Sequence, residues 1–232
     1  MNKQPVRFIL TDIEGTTTSI SFVADELFPY FRENIHLLKE MTELPEVQQA
    51  FSETVELAKS EDGQIIAGTD EILQTLHKWS VEDRKITPLK TLQGILWEKG
   101  YKDGSLKGHV YPEVADKLRE WKTAGINLGV FSSGSVAAQK LIFGYSVAGD
   151  LTPLFSAYFD TKTGGKRDTK TYSLIAEKLE MNPAEILFLS DVKEELEAAD
   201  LAGYQTIQLV RLGTTAAWKS VASDFNEIQI EK

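Results

Sequence analysis

The chain has 232 residues, 42% of them hydrophobic, and a formal net charge of -10, enough for one good core or for a core domain carrying a smaller insert. The acidic balance argues against a general nucleic-acid or anionic-membrane surface, because no basic field would attract polyphosphate; an anionic substrate must be met by a few local lysines or arginines. The lack of cysteine excludes disulfide scaffolds, thiolate zinc sites and cysteine nucleophiles, while the lack of any apolar run near the ~20 residues of a membrane span, or of a signal-peptide core, makes a cytoplasmic protein the expectation.

Val6 to Leu10 is short and almost continuously apolar, as expected of a central parallel strand covered on both faces. It runs into FILTDIEGTTT, Phe8 to Thr18, which delivers Asp12 and Glu14 into a glycine and three hydroxyl residues. A carboxylate leaving water costs several kcal/mol unless a cation or hydrogen-bond donors meet it, so this stretch asks for a metal or a reaction. The plainer alternative is a solvated turn with Gly15 at positive φ.

From Phe22 to about Tyr101 the periodicity is helical. Leu27, Phe31, Ile35 and Leu38 form one stripe; after Pro45, Val47, Ala50, Phe51, Val55 and Ala58 form another. Ile72, Leu73, Leu76 and Trp79 mark a third helix, and Leu89, Leu92, Ile95 and Leu96, with Pro88 near the start, a fourth. Lys102 to Gly108 is expected to be a loop and a hinge out of this all-helical block. His36, His77 and His109 are scattered without metal-ligand spacing.

Strands and helices then alternate. Glu113 to Ala124 reads as a helix stopped by Gly125, Ile126 to Phe131 as a strand, Ser132 to Ser135 as a loop, and Val136 to Phe143 as a helix. The strand Phe155 to Phe159 leads into a basic loop, Asp160 to Lys170, and the helix Thr171 to Leu179. A capped turn at Asn182 to Glu185 precedes the strand Ile186 to Leu189, the helix Lys193 to Ala202 and the strand Thr206 to Val210. Residues after Val221 carry little signal and are expected to fray. The fold class is therefore α/β, a doubly wound parallel sheet with right-handed crossovers, which the first strand joins across the helical block.

In such a sheet the strand exits converge on one edge. Asp12 and Glu14, Ser132 and Ser133, and Asp191 with Glu194 and Glu195 would meet there, with the basic loop between the last two groups. Acids for a hard cation, hydroxyls for phosphate oxygens and a lysine for charge balance point to Mg²⁺-assisted phosphoryl transfer. Ser133 as a plain helix N-cap, and the basic loop as a solvated turn, stay open as alternatives.

These motifs resemble the haloacid dehalogenase (HAD) superfamily of aspartate-nucleophile phosphatases over essentially the whole chain: D-I-E-G-T at Asp12, the serine of S-S-G-S, a loop lysine, and S-D-V-K-E-E at Ser190. More narrowly, DIEGTTT, LFPYF at Leu27, EDRKITPLKTLQG at Glu82, GHVYPEV at Gly108, SSGSVAAQKLIFG at Ser132 and YFDTKTGGK at Tyr158 resemble the enolase-phosphatase E1 family of methionine salvage. The resemblance implies a HAD-like core domain at 1–19 and 106–232, and a helical cap at 20–105. It implies Asp12 as nucleophile, and one Mg²⁺ held by Asp12, the backbone carbonyl of Glu14 and Asp191. Ser132, Ser133 and Lys166 would bind the phosphoryl group, Lys166 being chosen over Lys162, Arg167 and Lys170 by its place in FDTKTGGK. Glu195 would support the metal's surroundings or orient Lys166.

Glu14 departs from the aspartate usual in the superfamily. In the narrower family it is glutamate, and the implied substrate, the phosphorylated diketone 2,3-diketo-5-methylthiopentyl 1-phosphate, must enolise before losing phosphate to give acireductone; Glu14 is expected to serve both proton transfers. Specificity is expected from the cap, where Arg84, Lys85, Lys90, Gln93 and Trp97 lie in a family-like segment. Two alternatives are another capped phosphatase acting on a sugar phosphate or phosphoglycolate, and a phospho-acceptor signalling domain, which Glu14 and the insert disfavour. A monomer without nucleic-acid or membrane partners is expected.

Overall fold

The computed structural model describes residues 4–230. Strands β1 (Phe8–Thr11), β2 (Asn127–Phe131), β3 (Phe155–Phe159), β4 (Ile186–Ser190), β5 (Gln205–Leu209) and β6 (Val221–Ala222) form one parallel sheet in the order β3-β2-β1-β4-β5-β6. β1 is central and entirely buried, which its unbroken apolar run requires. Thr11 faces Val130 on one side and Leu189 on the other. Asp12 is therefore level with Phe131 and Ser190, and Ser132 and Asp191 stand one residue further out on its two flanks.

The chain divides into two compact units, one formed by the residues up to Ile20 with those from Lys107 onward, the other by Ser21–Leu106. Helical structure begins with the turn α1 (Ile20–Phe22), followed by a π-helical turn at Val23–Leu27, α2 (Phe28–Asn34) and a 3-10 stretch at Ile35–Met41. The Leu27 to Leu38 stripe is thus split among three helix types. At the π turn, Pro29 has no N–H to offer the carbonyl four residues back, and the Phe28 N–H just before it bonds Val23 five residues back, so the turn is wide.

The helices α3 (Pro45–Asp62), α4 (Thr69–Val81) and α5 (Thr87–Asp103) complete this unit. Phe31, Leu38, Val47, Leu76, Trp79, Leu92 and Leu96 form its core, each at 0% exposure. Burying such a side chain contributes about 1.5–3 kcal/mol. α5 runs one residue past Lys102, into the expected loop, and stops where Gly104 takes φ 83°. Arg84 stacks over Trp79 at 4.4 Å and bonds Asp62 at 2.8 Å, while the Trp97 indole donates to the Leu27 carbonyl at 2.8 Å. Both residues hold this unit together.

In the sheet unit, α6 (Pro112–Thr123) leads into β2, α7 (Val136–Gly144) links β2 to β3, α8 (Thr169–Lys178) links β3 to β4, and α9 (Lys193–Leu201) links β4 to β5. Tyr172, Ile175, Leu196 and Ala199 pack with Phe8, Leu10 and Phe188. Gly125 takes φ 85° past the end of α6, as its role as a stop requires. The expectation of a frayed end is overturned. Leu209 and Ala222 pair across β5 and β6, Phe225 is fully buried, and its ring lies 5.3 Å from that of Trp121. A two-residue strand and isolated apolar residues carry no periodic signal, so only packing reveals them. No helix among the described residues is long and apolar enough to cross a membrane.

Candidate active site

Asp12 leaves β1 at 4% exposure, its backbone N–H bonded to the Leu189 carbonyl at 2.9 Å. The chain then coils tightly, because the Ile13 carbonyl accepts from the N–H groups of Thr16, Thr17 and Thr18, and Gly15 N–H bonds the Thr18 carbonyl at 2.7 Å. Gly15 takes φ 71°, and a Cβ there would lie 2.3 Å from Asp191 Oδ2. Glycine is needed twice over, for the turn and for the approach of Asp191 to bare backbone. Two carboxylates thus close on one loop. Burial, and then the charge of Asp12, push the Asp191 carboxyl up to about 6.

Lys166 carries the balancing charge. Its ammonium is buried, 2.7 Å from Asp12 Oδ1 and 2.7 Å from Glu195 Oε2. Burial opposes its charged form, but Asp12 and Glu195 outweigh that and raise its pKa. Glu195 is pushed up to about 7 by burial and by Asp12, against the pull of Lys166. Ser190 donates to Glu195 Oε2 at 2.9 Å. Lys162, Arg167 and Lys170, the other cations of the loop, are exposed, so Lys166 alone among these four enters the cluster.

On the other flank Ser132 is buried, its Oγ accepting from Gly134 N–H at 3.3 Å, while Ser133 is exposed. The N-cap of α7 is Ser135, whose Oγ accepts from Ala138 N–H at 3.2 Å. This removes the helix-cap alternative for Ser133. Glu14 is exposed on the loop after β1 and its backbone bridges to Thr18. The structure therefore brings Asp12, Asp191, Lys166 and Glu195 together and sets Ser132 on the same edge, with Ser133 and Glu14 on the flanking loops.

Among the described residues no group of three or more His, Asp or Glu side chains is arranged to hold a metal. The donor set instead consists of two carboxylates against a loop of bare peptide groups. Hard oxygen donors of this kind, with several positions left to water, fit Mg²⁺.

Several supporting residues have no signature in the sequence. Tyr172 on α8 donates its hydroxyl to the Lys166 carbonyl at 2.7 Å. Gln139 on α7 donates to the carbonyls of Gly134 and Phe159, each at 2.8 Å, tying the serine loop to the end of β3. Gln208 on β5 donates to the Asp191 carbonyl at 2.9 Å. Each looks like an ordinary polar residue on a helix or strand until its partner is known.

The model of the haloacid dehalogenase-like hydrolases matches residues 6–203. The chain is 56% identical to an enolase-phosphatase E1 of Picosynechococcus sp. over 91% of its length and 92% of the relative's, and 48% identical to one of Pseudomonas aeruginosa over 97% and 99%. The crystal structure of the UTR4 protein of Saccharomyces cerevisiae superimposes with a TM-score of 0.81 at 31% identity, covering 96% of this chain and all of the other. A phosphate complex of CbbY from Rhodobacter sphaeroides, at 18% identity and TM-score 0.57, shares the fold. The strand-edge geometry and these relationships lead to one conclusion: the chain belongs to the enolase-phosphatase E1 family of haloacid dehalogenase-like hydrolases.

Proposed function

We propose that the chain is a bifunctional enolase-phosphatase of methionine salvage, converting 2,3-diketo-5-methylthiopentyl 1-phosphate through its enol phosphate to acireductone and phosphate. The observation that carries the chemistry is the Asp12 carboxylate, held by Lys166 and facing Asp191 across Gly15 at the exit of a buried strand. Both described bonds to this carboxylate, from Lys166 Nζ and from Ile13 N–H at 2.7 Å, go to Oδ1. Oδ2 is then the oxygen left to attack phosphorus. As the new P–O bond forms, the bond from phosphorus to the substrate oxygen breaks, and Glu14 gives that oxygen its proton. Water, with Glu14 now as base, cleaves the aspartyl-phosphate and restores Asp12.

Before that, Glu14 removes the carbon-bound proton and keeps it for the leaving oxygen, while the enolate oxygen takes a proton from water, giving the enol. Ser132 and Ser133 hydrogen-bond the phosphoryl oxygens, and Lys166 offsets their charge. Asp12, Asp191 and the Glu14 carbonyl would hold Mg²⁺, which when bound neutralises phosphoryl charge so that one anion can approach another. The helical unit serves as the cap domain that sets specificity.

The test supplies the diketo phosphate with Mg²⁺ and follows enol absorbance together with phosphate release. The expected result is a transient enol followed by stoichiometric phosphate and acireductone. Phosphate release with neither enol nor acireductone would leave only the superfamily chemistry, and a Glu14→Gln variant with normal rates in both steps would remove the assignment of Glu14.

A further inference from the structure

Arg211, two residues beyond β5, is a buried cation outside the cluster described above, at 9% exposure. Its Nε and Nη2 converge on the carbonyl of Thr16, at 3.3 and 3.1 Å. Nη2 also meets Glu113 Oε1 at 2.5 Å, Nη1 reaches the Ser223 carbonyl at 3.4 Å, and the guanidinium lies 4.0 Å from the centre of the Tyr111 ring. Desolvating a guanidinium costs several kcal/mol, which one carboxylate only partly offsets. The C-terminal segment has attachments of its own in the pairing of β6 with β5 and the packing of Phe225 on Trp121. Arg211 instead spends two of its N–H groups on one carbonyl of the loop that follows Asp12.

That carbonyl lies two residues beyond Glu14 and four beyond Asp12. Asp12 is fixed separately, by its backbone bond to β4 and by Lys166. Beyond the turn bonds to the Ile13 carbonyl and between Gly15 and Thr18, the outer half of the loop is tied to the rest of its unit by Arg211, by the bond from Tyr111 N–H to the Thr17 carbonyl at 3.0 Å, and by the bonds of Thr18 and Ser19 to His109. Tyr111, one of these anchors, is itself covered by the guanidinium. We propose that Arg211 is a positioning residue: its planar fork pins the Thr16 carbonyl and so fixes the loop from which Glu14 reaches the substrate, leaving Asp12 in place. This rests on the assignment of Glu14 to the proton transfers.

The consequence is selective. An alkyl phosphate needs a proton on its leaving oxygen, whereas p-nitrophenyl phosphate releases a stable anion and needs little help. Lysine at position 211 keeps the charge but cannot fork onto the carbonyl and reach Glu113 while stacking on Tyr111. At saturating Mg²⁺, Arg211→Lys should therefore slow the single-turnover release of alcohol from alkyl phosphates, the diketo ester included, by about ten- to a hundredfold, with the single-turnover release of p-nitrophenol changed by no more than about threefold; this first displacement precedes the hydrolysis of the aspartyl-phosphate, in which Glu14 serves both substrate types alike.

The experiment measures single-turnover leaving-group release at saturating Mg²⁺ from both substrate types for wild type, Arg211→Lys and Arg211→Met, with the folded fraction of each followed by circular dichroism. A selective alkyl loss in Arg211→Lys, deeper in Arg211→Met where that variant folds, supports the proposal. Equal losses on the two substrates, losses that track the folded fraction, or no change overturn it. A wild type that cleaves simple alkyl and aryl phosphates but not the diketo ester removes the narrow functional assignment instead, and the alkyl-to-aryl ratio of the variants still decides the role of Arg211.

Discussion

Replacing Lys166 by methionine keeps the aliphatic stem and removes the one charge that Asp12 and Glu195 share. Each carboxylate oxygen lies 2.7 Å from Nζ. At an effective dielectric near 20 each pair attracts by about 6 kcal/mol, and the desolvation of three buried groups opposes most of that, so that breaking such a cluster costs about 3–5 kcal/mol net. The variant can escape by protonating one acid. With a free glutamate pKa near 4.3, that escape costs about 5 kcal/mol near pH 8; near pH 5.5 Glu195, already raised to about 7, carries the proton in the wild type as well, so that only the loss of the Asp12 pair remains. Lys166→Met should therefore be destabilised by about 3–5 kcal/mol near pH 8 and by about 1–2 kcal/mol near pH 5.5, or roughly 6–20 °C and 2–8 °C in Tm for a chain of this size.

Thermal and urea unfolding followed by circular dichroism in EDTA reads this directly, alongside the double variant Lys166→Met/Glu195→Gln, which no longer strands a second charge. The double variant should recover most of the loss near pH 8. A single variant that loses less than about 1 kcal/mol near pH 8, a loss independent of pH, or a double variant no better than the single would refute the charge-sharing account.

Gly15→Ala forces a positive φ on alanine and drives its Cβ into Asp191 Oδ2; a loss of about 1–3 kcal/mol in urea unfolding and a weakened Mg²⁺-induced rise in Tm are expected. The metal-free protein should itself lose stability as pH rises. Asp191 and Glu195 have folded pKa values raised to about 6 and about 7, so the folded state binds the additional protons, and unfolding free energy falls as pH rises from about 4 to about 7, by up to about 3 kcal/mol in all for Asp191. Mg²⁺ competes with those protons, so its stabilising effect in a thermal-shift titration should grow over the same interval. Phe225→Ala, at a fully buried position, should cost about 3–5 kcal/mol in equilibrium unfolding; a cost under about 1 kcal/mol would mean that the C-terminal segment is not part of the core.

The sequence by itself determined the α/β class and the candidate nucleophile loop. A parallel strand buried on both faces must be an unbroken apolar run, and two acids with a glycine at its exit are too costly to place there without partners. The helical block and the strand exits at Ser132 and Asp191 followed from periodicity in the same way. Lys166 is picked out by its place in FDTKTGGK, but what needed the tertiary structure was every relation between residues far apart in the chain: that Lys166 is shared by Asp12 and Glu195, that Ser135 rather than Ser133 caps α7, and that Asp191 presses against Gly15. Arg211 lies 195 positions from Thr16, and nothing in the local pattern around either residue announces the other. Periodicity reports which face of an element is buried, whereas the partner of a buried charge is decided by how the elements pack, and that information first exists in the folded chain.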